Sequence, residues 1–164
     1  RLSRGVILLE IISSERPSAA FTKINLHDIE PFTLILLESN CLYEFRWDGT
    51  EKYCKQLNVD RCYIWSSATL YDGFVIKKRE QWFASFLNSH PTPTQQDILN
   101  FHQFTGDGDK QNDLLMTRDG KYSTVSITSI LLTKDRGCIN HIDIRNNSSS
   151  EIKIELLHPS ETIE

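Results

Sequence analysis

The sequence, residues 1–164, is predicted to form a single globular domain, since 39% of its residues are hydrophobic and 24% are charged. A net charge of −4 without a basic stripe argues against nucleic acid as a partner, and no apolar run approaches the ~20 residues of a membrane helix. The four cysteines lack the C-x-x-C spacing of a zinc site. We therefore expect a cytoplasmic protein without a metal, a cofactor or a disulfide framework.

The first segment is predicted to be helical. The chain starts with Arg1 instead of methionine, and an apolar run follows almost at once, so we expect residue 1 to be an internal cut in a longer protein. Ser3 can cap a helix that ends near Ser14. Apolar residues cover most of the circumference of this helix, which predicts deep burial. Pro17 suits the first turn of a second short helix.

Residues 33–66 are predicted to form a β-meander. Aromatic and polar residues alternate along 41–47, which is typical of a strand with one buried face. Asp48-Gly49 predicts a tight hairpin turn, because both residues tolerate positive φ. The other predicted strands are 33–38, 52–57 and 62–66.

A corner between this meander and a helix is the first candidate site. Residues 63–71 combine β-branched, aromatic and small hydroxyl residues, and Asp72-Gly73 ends the run. From Phe74 the period becomes helical, with Lys77–Glu80 mostly off the apolar face. Such a corner suits a binding site and equally an ordinary β-to-α connection. The apolar face consists of Val75, Trp82, Phe83, Phe86 and Leu87.

The second half begins with a helix and a polar loop. Thr94 and Asp97 resemble a capping box for a helix that reaches about Phe104. The loop at 106–113 looks like a calcium loop, but an EF-hand needs Gly and Glu where this chain has Asn112 and Arg118. We interpret the loop as a tight turn with side-chain-to-backbone hydrogen bonds.

A hydroxyl-rich strand follows the turn at Asp119-Gly120 and is predicted to cover residues 121–133. Thr124, Ser126 and Thr128 would lie on one face of it. They could line a pocket, or they could be the solvated face of an ordinary strand. Two more strands are predicted, at 138–145 and 150–157.

The order of these elements predicts an α+β fold, because a β-block, two helices and a second β-block leave no βαβ alternation. Two antiparallel β-sheets that pack together, with flanking helices outside, would cover the apolar faces. Exposed sheet edges would invite further copies of the chain, so a homo-oligomer is one option that the sequence leaves open.

Four blocks of the sequence, taken together, resemble the NRDE family (transport and Golgi organisation protein 2-like), and its bacterial members most. The blocks are Leu2-Ser3-Arg4-Gly5; Ile64-Trp65-Ser66-Ser67-Ala68-Thr69-Leu70-Tyr71 followed by Lys78-Arg79-Glu80-Gln81-Trp82-Phe83; Phe101 through Asn112-Asp113-Leu114; and Tyr122 through Ile130. The resemblance covers the C-terminal two-thirds of the family domain, and the Asn-Arg-Asp-Glu motif that names the family is absent from the chain.

The resemblance implies part of an αββα sandwich of the N-terminal nucleophile hydrolase type. It implies hydrolysis of a carbon–nitrogen amide bond by a Cys nucleophile that lies upstream of this chain, with its α-amino group as base. Ser66 and Ser67 stand where related enzymes place an oxyanion-stabilising residue, and a Ser67 hydroxyl could donate one hydrogen bond to an oxyanion. The remaining candidate binding residues are Thr69, Asn112, Thr124, Ser126 and Thr128.

Two other interpretations are left open at this point: a non-enzymatic binding function, and a structural fragment whose pocket is vestigial. The same pocket could bind or carry a small apolar, haem-type or acyl-type molecule, which the aromatic helix at 82–86 favours. Whether the protein is an enzyme therefore depends on residues outside the chain. For an enzyme and for a binding protein alike, the expected partner is a small-molecule ligand or substrate.

Overall fold

A computed structural model describes residues 3–155 of the chain. It has the α+β class expected from the sequence, with helices and antiparallel sheets that follow one another along the chain. The chain divides into two compact units, one that ends at Ile76 and one that begins at Lys77. The elements are α1 (Arg4–Ile12), α2 (Pro17–Lys23), β1 (Phe32–Glu38), β2 (Cys41–Trp47), β3 (Lys52–Leu57), α3 (Gly73–Ser89), α4 (Gln95–Phe104), β4 (Thr117–Arg118), β5 (Tyr122–Ser123), β6 (Ser126–Leu132), β7 (Arg136–Asp143) and β8 (Ser148–Glu155).

The first unit is a three-stranded antiparallel sheet, in the order β1-β2-β3, with α1 and α2 against one face. Phe45 and Trp47 point to this face, as the alternation along β2 predicts, and Phe21 of α2 packs on Phe45 with ring centroids 4.6 Å apart. The indole of Trp47 donates a buried hydrogen bond of 2.9 Å to the carbonyl of Ile29. These contacts form the core of the first unit.

The expected deep burial of the first helix is wrong. Ser3 does cap α1, since its hydroxyl accepts a hydrogen bond from the Val6 amide. Only Ile7 and Ile11, four residues apart, are buried, whereas Leu9 is 61% exposed. The helix therefore buries a single stripe against its unit, as a helix packed on one side does.

The predicted hairpin between β2 and β3 is present but has a loop of four residues, with Gly49 at a φ of +106°. The Asp48 carboxylate accepts hydrogen bonds from the amides of Thr50 (2.8 Å) and Glu51 (2.7 Å). The backbone donors at Glu51 and Thr50 lower the pKa of Asp48 to about 2. Asp48 thus closes the turn with its side chain, which the dipeptide pattern did not predict.

The predicted strand at 62–66 is wrong, because this segment has no regular secondary structure. Local bonds fold the chain back on itself: the Tyr63 hydroxyl donates to the carbonyl of Asn58 (3.0 Å) and accepts from its amide (3.1 Å). The rings of Tyr63 and Trp65 stack with centroids 5.5 Å apart. Side-chain-to-backbone bonds of this kind compete with strand pairing.

The second unit is built on aromatic packing between α3 and α4. Phe101 of α4 lies between Phe83 and Phe86 of α3, with ring centroids 5.6 and 4.8 Å apart. The capping box at Thr94 is confirmed, with reciprocal bonds between Thr94 and Asp97. The predicted apolar face of α3 is buried or half-buried.

Three antiparallel sheets are present in the described residues, instead of the two expected. The predicted strand at 121–133 is broken after Ser123, because the Thr124 amide donates to Met116 (2.9 Å) and the Val125 carbonyl accepts from Ile144 (3.0 Å). The residues before the break pair as the short β4-β5 hairpin, whose turn residues Asp119 and Gly120 both have positive φ. The residues after it form β6.

The largest sheet of the second unit has the order β6-β7-β8. Helix α4 packs on the face that carries Ser129, where the side chain of Gln95 donates a 3.0 Å hydrogen bond to the serine hydroxyl. The opposite face carries Ile130, which is 61% exposed. The end of the last predicted strand, 156–157, lies outside the described residues. Among the described residues, no helix has the length and apolarity to cross a membrane.

Candidate functional site

The predicted site residues fall in different parts of the chain. Ser66, Ser67 and Thr69 belong to the first unit, in the irregular segment before α3; the two serines are half-buried and the threonine is exposed. Asn112, Thr124, Ser126 and Thr128 belong to the second unit.

The three hydroxyls predicted to share a strand face have separate environments. The Thr124 hydroxyl, outside β6, accepts from the Met116 amide (3.1 Å) and donates to the Leu114 carbonyl (3.4 Å). Ser126 and Thr128 do share a face of β6, and the Thr128 hydroxyl lies 2.9 Å from Nδ1 of His141 on β7. Thr124 therefore fixes the backbone at 114–116 through hydrogen bonds and does not share the strand face of Ser126 and Thr128.

Thr124 borders a cavity of about 480 Å³ in the second unit. The cavity lies at the end of α4 between the loop 106–113 and the β4–β5 hairpin, and its size is in the range of small-molecule sites. One part of its wall is apolar and another is polar. The apolar lining consists of Phe104, Leu115, Met116 and Ile144, and the polar lining of Gln103, Thr105, Lys110, Asp113, Thr117 and Thr124, with Gly106 and Gly108 between them.

The loop beside the cavity is held by a buried arginine. The Arg79 guanidinium, on a residue only 7% exposed, donates to the carbonyl of Asn112 (3.1 and 3.3 Å) and to that of Asp113 (2.8 Å). Arg118 adds a 2.8 Å hydrogen bond to Oδ1 of Asn112. Asn112, a predicted binding residue, is thus engaged through both its backbone and its side chain.

A close approach between Gly106 and Asp113 closes the loop. The Asp113 carboxylate accepts a hydrogen bond of 2.9 Å from the Asp107 amide. A Cβ atom at Gly106 would lie 2.3 Å from that carboxylate, so only glycine fits while the bond is made. These contacts fix one wall of the cavity before any ligand enters, which favours binding.

The acidic residues of this loop are occupied by protein donors. Oδ2 of Asp107 lies 2.6 Å from the ammonium of Lys78, and this contact lowers the pKa of Asp107. Asp109 accepts from the side chain of Asn112 (2.8 Å), and this bond lowers the pKa of Asp109. Within residues 3–155, no three Asp, Glu, His or Cys residues are grouped to hold a metal ion.

A larger cavity of about 720 Å³ lies in the first unit, along the loop 24–31. Its cation, Lys52, donates hydrogen bonds to the carbonyls of Thr22 and Ile24 at the end of α2. This ammonium therefore caps a helix, and none of the predicted site residues lines the cavity.

Comparison of the chain with protein-family models, with curated proteins and with solved structures found no match.

Three residues of the second unit were missed by sequence reasoning. Arg79 was placed off the apolar face of α3, yet it lies four residues after Val75 and four before Phe83, in the middle of the apolar stripe. This spacing could have identified it. Lys110 and His141 gave no such signal, because their surroundings depend on the hairpin and on strand register.

Proposed function

We propose that the second unit binds a small amphipathic molecule with an anionic head in the cavity beside Thr124. One observation carries this proposal: the apolar wall of the cavity, with Leu115 and Met116, is accompanied by an exposed ammonium, that of Lys110. A ligand with an acyl chain and a carboxylate would satisfy both. Hydroxyls at Thr105 and Thr117 could add hydrogen bonds to the head group.

Lys110 is available for such a head group. No ion pair or side-chain hydrogen bond engages its ammonium among the described residues. The neighbouring carboxylate of Asp113 is held by the Asp107 amide. Because Lys110 is exposed, its charge would add specificity and a small part of the affinity, about 0.2–1 kcal/mol.

The proposal is tested by calorimetric titration of the intact protein with dodecanoate and with 1-dodecanol. We expect dodecanoate to bind more tightly than the alcohol, and Lys110→Gln to reduce that preference by up to about fivefold. Lys121→Gln, the same change in the β4–β5 turn and outside the cavity lining, is the matched control. Equal affinity of the unaltered protein for both ligands, or no binding of either, would refute the proposal.

A catalytic form of the function is a second candidate. It rests on the resemblance to the NRDE family, and the layering of each unit supports it: α1 and α2 cover one face of the first sheet, and α4 covers one face of the β6-β7-β8 sheet. Each unit thus contains a sheet covered by helical structure on one face, and two units of this kind are the components of an αββα sandwich of N-terminal nucleophile type. In that form a small amide would be the substrate and Ser66 and Ser67 would stand on the oxyanion side.

The catalytic form requires a Cys nucleophile outside this chain. Treatment of the intact protein with a thiol-reactive amide mimic, followed by peptide mapping, is expected to give one adduct at an N-terminal Cys. Ser67→Ala should then slow turnover, because one oxyanion donor is lost. Adducts confined to Cys41, Cys54, Cys62 or Cys138, with no turnover, would leave ligand binding as the function.

A further inference from the structure

Strand β8 is a free edge of its sheet within the described part of the chain. It pairs with β7 on one side, and all of its eight residues except Ile154 are exposed. An edge strand presents unpaired N–H and C=O groups to any strand that can approach it. At eight residues it is longer than the usual strand, so it offers a long template for pairing.

A row of isoleucines crosses the open face of this sheet and ends at that edge. Ile130, Ile139 and Ile152 lie opposite one another in the registers of the two strand pairs. Ile130 and Ile152 are 61% and 59% exposed. Among residues 3–155, this apolar strip has no neighbour beyond β8.

We infer that two copies of this chain associate through β8, paired antiparallel, with Ile152 of one copy opposite Ile152 of the other. This pairing joins two three-stranded sheets into one of six strands. The isoleucine row then continues across all six strands, and the free backbone groups of the edge gain partners. The occupant of the edge is therefore a second copy of the chain, related to the first by a two-fold axis.

Charge and overlap together select this register, since centring the pair on Ile154 would also oppose Lys153 and Glu155 but would pair only residues 153–155 of β8. Centring the pair on Ile152 sets Glu151 of each copy opposite Lys153 of the other, so that two pairs of opposite charges form. Centring the strand pair on position 151 or 153 also leaves residues of the same sheet face opposite each other. Those registers, however, set two like charges opposite each other. Opposite charges across a strand pair are stabilising and like charges are destabilising.

Both charges lie at the surface of β8 and can exchange their contact within one chain for these pairs. Within one chain the Lys153 ammonium lies 3.5 Å from a Glu151 carboxylate oxygen, which shows that both side chains lie on one face of β8. Their side chains are 83% and 49% exposed, so they can turn toward a partner strand without losing a buried contact.

Charge reversal tests the inference by sedimentation equilibrium of the intact protein over a range of concentrations. The unaltered protein should show a concentration-dependent dimer. K153E places a carboxylate opposite Glu151 of the other copy at both symmetric positions, and should weaken the dimer about tenfold. The double variant E151K/K153E exchanges the charges, restores both attractive pairs and should return the dimer to its original strength.

Lys121→Glu, the same charge change in the β4–β5 turn, should leave the dimer unchanged, and circular dichroism would verify that every variant is folded. A protein that stays monomeric at all concentrations would overturn the inference. So would a double variant that dimerises as weakly as K153E, or a dimer that K153E does not weaken. Ligand binding in the cavity beside Thr124 is measured separately, and its outcome does not bear on this pairing.

Discussion

Arg79 shows how a single buried charge can organise a loop at the residue scale. Its guanidinium makes three hydrogen bonds to two consecutive carbonyls, those of Asn112 and Asp113, from a position in the apolar stripe of α3. A buried charge is tolerated only when it is well hydrogen-bonded. The planar guanidinium of Arg79 donates three hydrogen bonds through Nε and Nη2 in a fixed geometry, which the more flexible point charge of a lysine ammonium does not reproduce.

Replacing Arg79 with Met should lower the free energy of unfolding by about 2–3 kcal/mol, since hydrogen bonds from a charged donor are lost and two carbonyls lose their partner. The free energy of unfolding of Arg79→Lys should lie between those of Arg79→Met and the unaltered protein. Urea denaturation measures both, and hydrogen exchange in residues 106–113 should become faster. Arg145→Met, at an exposed position, is the control and should stay within about 0.5 kcal/mol. Equal effects at the two positions would contradict this role of Arg79.

His102 provides a pH-dependent prediction at the same scale. Its ring packs edge-on against Phe101, with centroids 5.4 Å apart, and desolvation together with the charge of Arg79 lowers its pKa below the usual 6.5. The unfolded chain therefore binds the proton more readily than the folded one, so His102 reduces stability as the pH falls below about 6.5.

Thermal unfolding of the unaltered protein and of His102→Asn across pH 5–7 tests this pH dependence, because the substitution removes the titrating imidazole. The variant should lose slightly less stability than the unaltered protein as the pH falls through this range, and the difference should be small because His102 is an exposed residue. Identical slopes for the two proteins would show that the imidazole has no linkage to folding.

At the scale of elements, the loop 106–113 depends on one glycine. Gly106→Ala would place a methyl group 2.3 Å from the Asp113 carboxylate, so that side chain must move and give up its bond to the Asp107 amide. We expect a loss of about 1–2 kcal/mol in the free energy of unfolding and weaker binding of dodecanoate.

Gly73→Ala is the matched control for this change, since a Cβ atom there meets nothing within 4 Å. It should leave stability and binding unchanged or slightly improve the helix. If both glycine variants behave alike, the contact between Gly106 and Asp113 does not hold the loop.

Helix caps and turns that depend on neighbouring residues could be predicted from the sequence. The cap at Ser3, the capping box at Thr94 and the turn at Asp119-Gly120 each depend on residues within one turn of chain, and all three are present. The strand predicted at 62–66 failed because Tyr63 bonds back to Asn58, a contact that composition does not reveal. Propensity describes a preference that such contacts override.

At the scale of the whole molecule, the α+β class followed from the order of helices and strands, whereas the site did not. The hydroxyl of Thr124 was expected on the face of a strand. The strand is interrupted before β6, and the hydroxyl instead bonds to the backbone of Leu114 and Met116. The cavity and its cation, Lys110, arise where a helix end, a loop and a hairpin meet. Such a meeting depends on tertiary packing and has no periodic signature in the sequence.

Binding of an amphipathic anion in the cavity beside Thr124 can be followed directly in the amide chemical shifts of the isotope-labelled intact protein as dodecanoate is added. We expect changes that saturate and centre on Thr105, Gly108, Lys110, Leu115 and Thr117. Saturable changes centred elsewhere, such as on the loop 24–31 of the first unit, or no saturable changes at all, would contradict binding in this cavity.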